Sequence, residues 1–95
     1  MTSKQRAYLR GLANTIDAIF QIGKGGISDN LIKQLSDALE ARELIKISVL
    51  ETAPENAKPL GQEIAIATNS ELVQVVGNKI TLYRPRKKDS KIVLP

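Results

Sequence analysis

Ile27, Leu31, Leu35 and Leu39 recur at every fourth position, and Ile32 and Ala38 widen the stripe. This spacing lines one face of a helix. Ser28 stands at the cap position, Asp29 complements the positive helix end, and Ile27 and Ile32 occupy the two positions of a hydrophobic staple. The pattern predicts a helix to about Arg42, with Lys33 and Asp37 as a solvated pair outside. Nearer the amino end, Leu9, Leu12, Ala13 and Ile16 keep helical spacing, which predicts a helix from about Ser3 to Asn14. Arg6 and Arg10, four apart, share a side away from that stripe.

Between these helices "AIFQIG" is a short run rich in β-branched and aromatic residues, and reads as a buried strand. "LIKISVL" alternates Ile45, Ile47 and Val49 on one face and reads as another strand. "ETAPENAKPL" has two prolines and no period, so it is a loop, and Pro59 suits the first turn of a helix through "LGQEIAIATN". "LVQVV" and "KITLYR" flank Gly77-Asn78, a two-residue hairpin signal with positive φ expected at both positions. The order is α-β-α-β-α-β-β. It predicts an α/β protein of the two-layer type, with a mixed four-stranded sheet packed by helices. Two strand–helix–strand units predict parallel pairs, and the hairpin adds an antiparallel strand. The tail "RPRKKDSKIVLP" gathers Arg84, Arg86, Lys87, Lys88 and Lys91 before a short apolar patch. It reads as mobile, with Ile92 to Leu94 as residues that could dock.

Composition narrows the chemistry. With 95 residues, the chain fits one domain. It has neither cysteine nor histidine, so disulfides, thiolate metal sites, the commonest general base and the commonest transition-metal ligand are all excluded. Glu40, Glu43 and Glu51 are scattered and read as solvated charges, while Ser28 has no base to activate it. No enzyme, metal or cofactor is expected. The net charge of +4 permits an anionic partner, and the 3% aromatic content argues against base stacking as the main mode of recognition. The amino end lacks the apolar core of a signal peptide, so a cytoplasmic protein is expected.

"IGKGGIS" is the stretch that asks for a reason. Gly23, Lys24, Gly25 and Gly26 lie between a strand's carboxyl end and a helix's amino end, where free N–H groups and the helix dipole favour anions. The Gly-x-x-Gly pattern is the form with which KH domains clamp a nucleotide backbone. A sharp turn of no further consequence is the other reading of the same glycines. The spacing fits neither a Walker A nor a dinucleotide loop.

"KQRAYLRGLA", "QIGKGGIS", "ALEARELIKISVL" and "LVQVVGNKITLYR" together resemble the CRM domain, the chloroplast RNA splicing and ribosome maturation module, in its stand-alone bacterial YhbY-like form. The resemblance runs from about Lys4 to Arg84, so residues 1–84 are read as the domain and 85–95 as a basic tail. It implies a fold similar to the C-terminal domain of translation initiation factor three, and RNA binding without catalysis. Its bacterial members are associated with precursors of the large ribosomal subunit. By position, the family's loop falls on Gly23 to Gly26 and its basic first helix on Arg6 and Arg10. Where members often carry a basic residue and proline before the first strand, this chain has Asp17 and Ala18.

The expected function is therefore binding of large-subunit ribosomal RNA or its precursor by a monomer. The loop would grip phosphates, and Arg6, Arg10, Arg84, Arg86, Lys87 and Lys88 would extend an electropositive track. Ribosomal proteins are the other candidate partners, and no membrane is involved. The rival reading is a module that docks on a ribosomal protein or assembly factor, with the glycines only turning the chain.

Overall fold

The computed structural model describes residues 1–95. Its elements are α1 (Ser3–Ala13), β1 (Ala18–Ile22), α2 (Asp29–Arg42), β2 (Leu44–Val49), α3 (Ala57–Ala67), β3 (Glu71–Val76) and β4 (Lys79–Tyr83), the order the sequence predicts. Thr2 caps α1 through a reciprocal box with Gln5, and Ser28 caps α2 by accepting from the Leu31 amide at 3.1 Å. No helix is long and apolar enough to cross a membrane.

The four strands form one mixed sheet in the order β1-β2-β4-β3. β1 and β2 are parallel, as expected, while β4 lies antiparallel between β2 and β3. The second expected parallel pair is therefore not adjacent: β2 and β3 run the same way with β4 between them. The physical reason is the apolar content of the strands. Ile80, Thr81, Leu82 and Tyr83 are all buried, which suits an inner strand, whereas Glu71 and Val76 are exposed at an edge. The hairpin turn also differs in detail. Gly77 has φ +57 but Asn78 does not have positive φ, the pattern of a type II′ turn. Asn78 ties this turn to β2, donating from its side chain to the Val49 carbonyl and accepting the Val49 amide at 2.7 Å.

The larger core lies on one face of the sheet, where Leu35 and Leu39 of α2 and Leu60 and Ile64 of α3 pack on Ile45, Ile47, Ile80 and Leu82. The other face is only partly covered. There Leu9 and Ala13 of α1 meet Leu44, Val73 and Tyr83, with Ile92 and Leu94 of the tail packed alongside. The two-layer arrangement thus gains a partial third layer of α1 and tail. The tail, read as mobile with Ile92 to Leu94 as residues that could dock, is docked through Ile92 and Leu94.

Candidate nucleic-acid interface

Gly23 to Gly26 form a tight turn closed by the Gly26 amide donating to the Gly23 carbonyl at 3.0 Å, with Lys24 and Gly25 exposed at its tip. Gly26 is required by the backbone: its φ is +63, and a Cβ there would lie 3.0 Å from Pro54 Cγ. Gly25 is different. Its φ is not positive, and a Cβ added to it would meet nothing within 4 Å. The fold has no steric use for glycine at this position, yet glycine costs conformational entropy. The amides of Lys24 and Gly25, and those of Asp29 and Asn30 at the start of α2, donate to nothing in the protein. The loop therefore presents unoccupied N–H groups beside the positive end of a 14-residue helix, with one ammonium at the tip and no side chain on Gly25 to hold a ligand away.

The predicted basic residues are not gathered around this loop. Arg6 is half-buried and donates from Nη1 to the Leu72 and Val73 carbonyls at 2.6 and 3.0 Å, with Glu71 3.9 Å from Nη2. It ties α1 to β3. Arg84 is half-buried too, donating to the Ser36 hydroxyl, the Ser36 carbonyl and the Thr68 carbonyl, so it joins the sheet to α2 and α3. Arg10, Lys87 and Lys88 are exposed, and Arg86 is half-buried. The loop follows Ile22, level with Val49, whereas Arg84 follows Tyr83, level with Leu44. At about 3.3 Å per residue the tail cluster and the loop sit at opposite ends of the sheet, roughly 20 Å apart. A continuous track from Gly23 through Arg84 to Lys88 is not what the fold provides.

The description CRS1 / YhbY (CRM) domain matches residues 1–84 of the chain. The chain belongs to the CRM domain family. Over its full length it is 46% identical to 99% of the Bacillus subtilis protein named "Probable RNA-binding protein YqeI". It is 30% identical to 95% of a Haemophilus influenzae protein named "RNA-binding protein". The solution structure of a Staphylococcus aureus protein, 54% identical, superposes with a TM-score of 0.83 over 100% of this chain and 99% of that one.

Beyond the matched residues, this CRM domain holds its tail with a residue that sequence reasoning treated as a solvated charge. Glu43 is fully buried. Its carboxylate accepts from the Ser90 hydroxyl at 2.5 Å, from the Lys91 amide and, weakly, from the Arg86 amide at 3.4 Å. Burial alone would push the Glu43 carboxyl up, but hydrogen bonds from Ser90, Lys91, Arg86 and Ile92 together hold it below its ordinary value. The Tyr83 phenol is pushed up by burial and by the Glu43 charge. Glu43 also ends α2 at φ +68, a position where glycine is the usual residue. The only signal in the sequence is the absence of glycine or asparagine after Arg42.

Proposed function

We propose that this CRM domain is a non-catalytic RNA-binding protein of the cytoplasm that binds large-subunit ribosomal RNA, or its precursor, during ribosome assembly. The observation that carries the reading is the Gly25 tip: a glycine with no structural need, flanked by free amides and Lys24. A phosphate oxygen is the acceptor such a tip suits, because N–H groups at a helix start bind anions and a bare Cα allows close approach. The names of the relatives support RNA as the ligand, and the resemblance to stand-alone bacterial members supports the ribosomal target. Arg10 adds long-range charge. Lys87 and Lys88 form a separate cationic patch at the far end of the sheet, and Arg6 and Arg84 contribute through the fold they hold together. The protein acts as a monomer.

Fluorescence anisotropy with large-subunit ribosomal RNA fragments and an unrelated RNA tests this. Binding should favour the ribosomal fragments and weaken with salt, each phosphate contact adding a slope of about −0.7 to −0.9 in log K against log salt. A flat salt dependence, or equal affinity for both RNAs, would overturn the grip or the target respectively.

Docking on a ribosomal protein is the second reading. It is favoured by an apolar groove of about 560 Å³ between α1, β1 and the tail, lined by Leu12, Ile16, Ile19, Leu44 and Ile92. Pull-down from extract with and without nuclease separates the two, because a protein-mediated contact survives removal of RNA.

A further inference from the structure

The face of the sheet that carries α1 is uncovered toward the loop end. α1 packs chiefly on β2, β3 and β4 over Leu44, Val73 and Tyr83, which lie toward the tail end. Past it, two cross-strand rows carry no helix directly over them; Gln21, Val76 and Lys79 are exposed, Lys46 and Gln74 half-buried, and Ser48 and Thr81 buried beneath their neighbours. One runs Gln21, Ser48, Lys79, Val76, and the other runs Lys46, Thr81, Gln74. The alternation of strands assigns all seven to this face, because their neighbours Phe20, Ile47, Ile80 and Val75 point into the core on the opposite side.

Lys46 and Lys79 are diagonal neighbours across β2 and β4, which sets their Cβ atoms about 7–8 Å apart. They bring two positive charges to one face, and neither is in an ion pair. The two ion pairs of the protein are Arg6–Glu71 and Arg84–Glu40, so neither lysine has a carboxylate partner. None of the seven residues in the two rows is acidic. Each ammonium is instead laid down on a neutral acceptor, Lys46 on the Ala13 carbonyl at 3.1 Å and Lys79 on the Ser48 hydroxyl at 2.6 Å. One bond each leaves two N–H groups per lysine to give. Thr81 Oγ, buried between Lys46 and Gln74 in its row, has no partner in the protein and lies beneath the surface rather than on it. Gln21 lies two residues before Gly23, so the first row runs directly into the Gly23–Gly26 turn. Arg10 lies on the flank of α1 opposite Leu12 and Ile16, which face the tail, and so borders the same surface.

We propose that this sheet face, centred on the ammonium groups of Lys46 and Lys79 with the amides of Gln21 and Gln74, is a second RNA-contacting surface that takes phosphates of the strand held at the Gly23–Gly26 loop. The proposal rests on the reading of the loop as an RNA grip. The two lysines neutralise the phosphates, which supply the anionic partner that neither lysine has within the protein. The amides of Gln21 and Gln74 hydrogen-bond sugar and base edges without needing aromatic stacking. A protein surface would instead have to bring carboxylates to both lysines and also cover the polar glutamines.

The test compares four proteins by anisotropy with one large-subunit ribosomal RNA fragment over a salt series: wild type, Lys46→Gln/Lys79→Gln, the loop variant Lys24→Asp/Gly25→Asp, and a control, Lys33→Gln/Lys58→Gln. The control removes the same charge from α2 and α3, on the other side of the sheet. The sheet-face variant should bind about 25-fold more weakly at 0.1 M salt, with a slope shallower by about 1.4, two phosphate contacts at about 0.7 each. The control should change neither by as much. Lys79→Gln alone, at an exposed residue, should give about a fivefold loss and serves if the double variant does not fold. If the loop variant loses affinity while the sheet-face variant keeps it, this inference is overturned and the RNA grip stands. Equal losses in the sheet-face and control proteins also overturn it, because only net charge is then felt. If wild type binds no RNA, both readings fall together.

Discussion

Replacing Glu43 by glutamine removes a charge from a fully buried position while keeping the side chain's shape. In the wild type its two strong bonds, from the Ser90 hydroxyl and the Lys91 amide, are charge-assisted, and such bonds contribute about 1.5–3 kcal/mol each. Glutamine can still accept the Lys91 amide with its carbonyl. Its NH₂ can donate to Ser90, whose hydroxyl turns to accept. Both bonds survive as neutral ones of roughly half the strength, so Glu43→Gln should cost about 1.5–3 kcal/mol. Glu43→Ala removes both bonds. Its cost is capped, however, because the tail can lift away, giving up only the partial burial of Ile92 and Leu94, about 2 kcal/mol of apolar contact, together with the bonds. A domain of this size is stable by about 5–15 kcal/mol, so either loss is measurable. Urea unfolding reports the total, and amide exchange at Lys91 and Ile92 reports release of the tail. The sign with pH follows from the lowered Glu43 carboxyl. Its stabilisation is complete above the unfolded value of about 4.3 and is lost as pH falls through the lower folded value. The gap between wild type and Glu43→Gln should therefore narrow below about pH 4. A glutamine variant as stable as wild type at pH 7, with unchanged Lys91 exchange, would refute the latch.

Further outcomes separate architecture from recognition. Gly26→Ala should destabilise by about 1–2 kcal/mol in urea melts, because φ +63 and the contact with Pro54 both oppose a Cβ. Gly25→Ala should leave stability unchanged or raise it by about 0.4–1 kcal/mol while weakening RNA binding; unaltered affinity would show that the tip needs no close approach. Arg84→Met leaves Ser36 and Thr68 without their donor and should lower stability by about 2 kcal/mol, read by thermal melting. Thr2→Ala removes the α1 capping box and should cost about 1 kcal/mol, again read by melting.

The elements were legible where a local period or turn residue speaks for itself. The ridge of α2, the cap at Ser28 and the Gly77-Asn78 hairpin are each defined by a short local stretch, and each is found in place. The strand order was not local in that sense. Placing β4 between β2 and β3 depends on comparing how apolar two neighbouring strands are, and "KITLY" has to be weighed against "ELVQVV" to see it. The Glu43 latch was hidden because it joins residues more than forty positions apart, and an isolated glutamate carries no mark of burial. Arg6 and Arg84 show the same limit from the other side. They read as basic surface, but their guanidinium groups reach carbonyls that only the folded chain brings near. Lys46 and Lys79 were passed over because the apolar alternation of Ile45, Ile47 and Val49 draws attention to the core face. Lys46 lies on the polar face of the same strand, opposite that core.

Whether the Gly23–Gly26 backbone grips RNA phosphates is measured directly by anisotropy of Lys24→Asp/Gly25→Asp against wild type on a large-subunit ribosomal RNA fragment. Circular dichroism and melting establish that both proteins fold alike, as expected for two exposed tip residues. The double variant should stay folded and lose more than tenfold in affinity, because two carboxylates would occupy the space the phosphate needs. A folded variant that binds like wild type would show the glycines to be a turn alone.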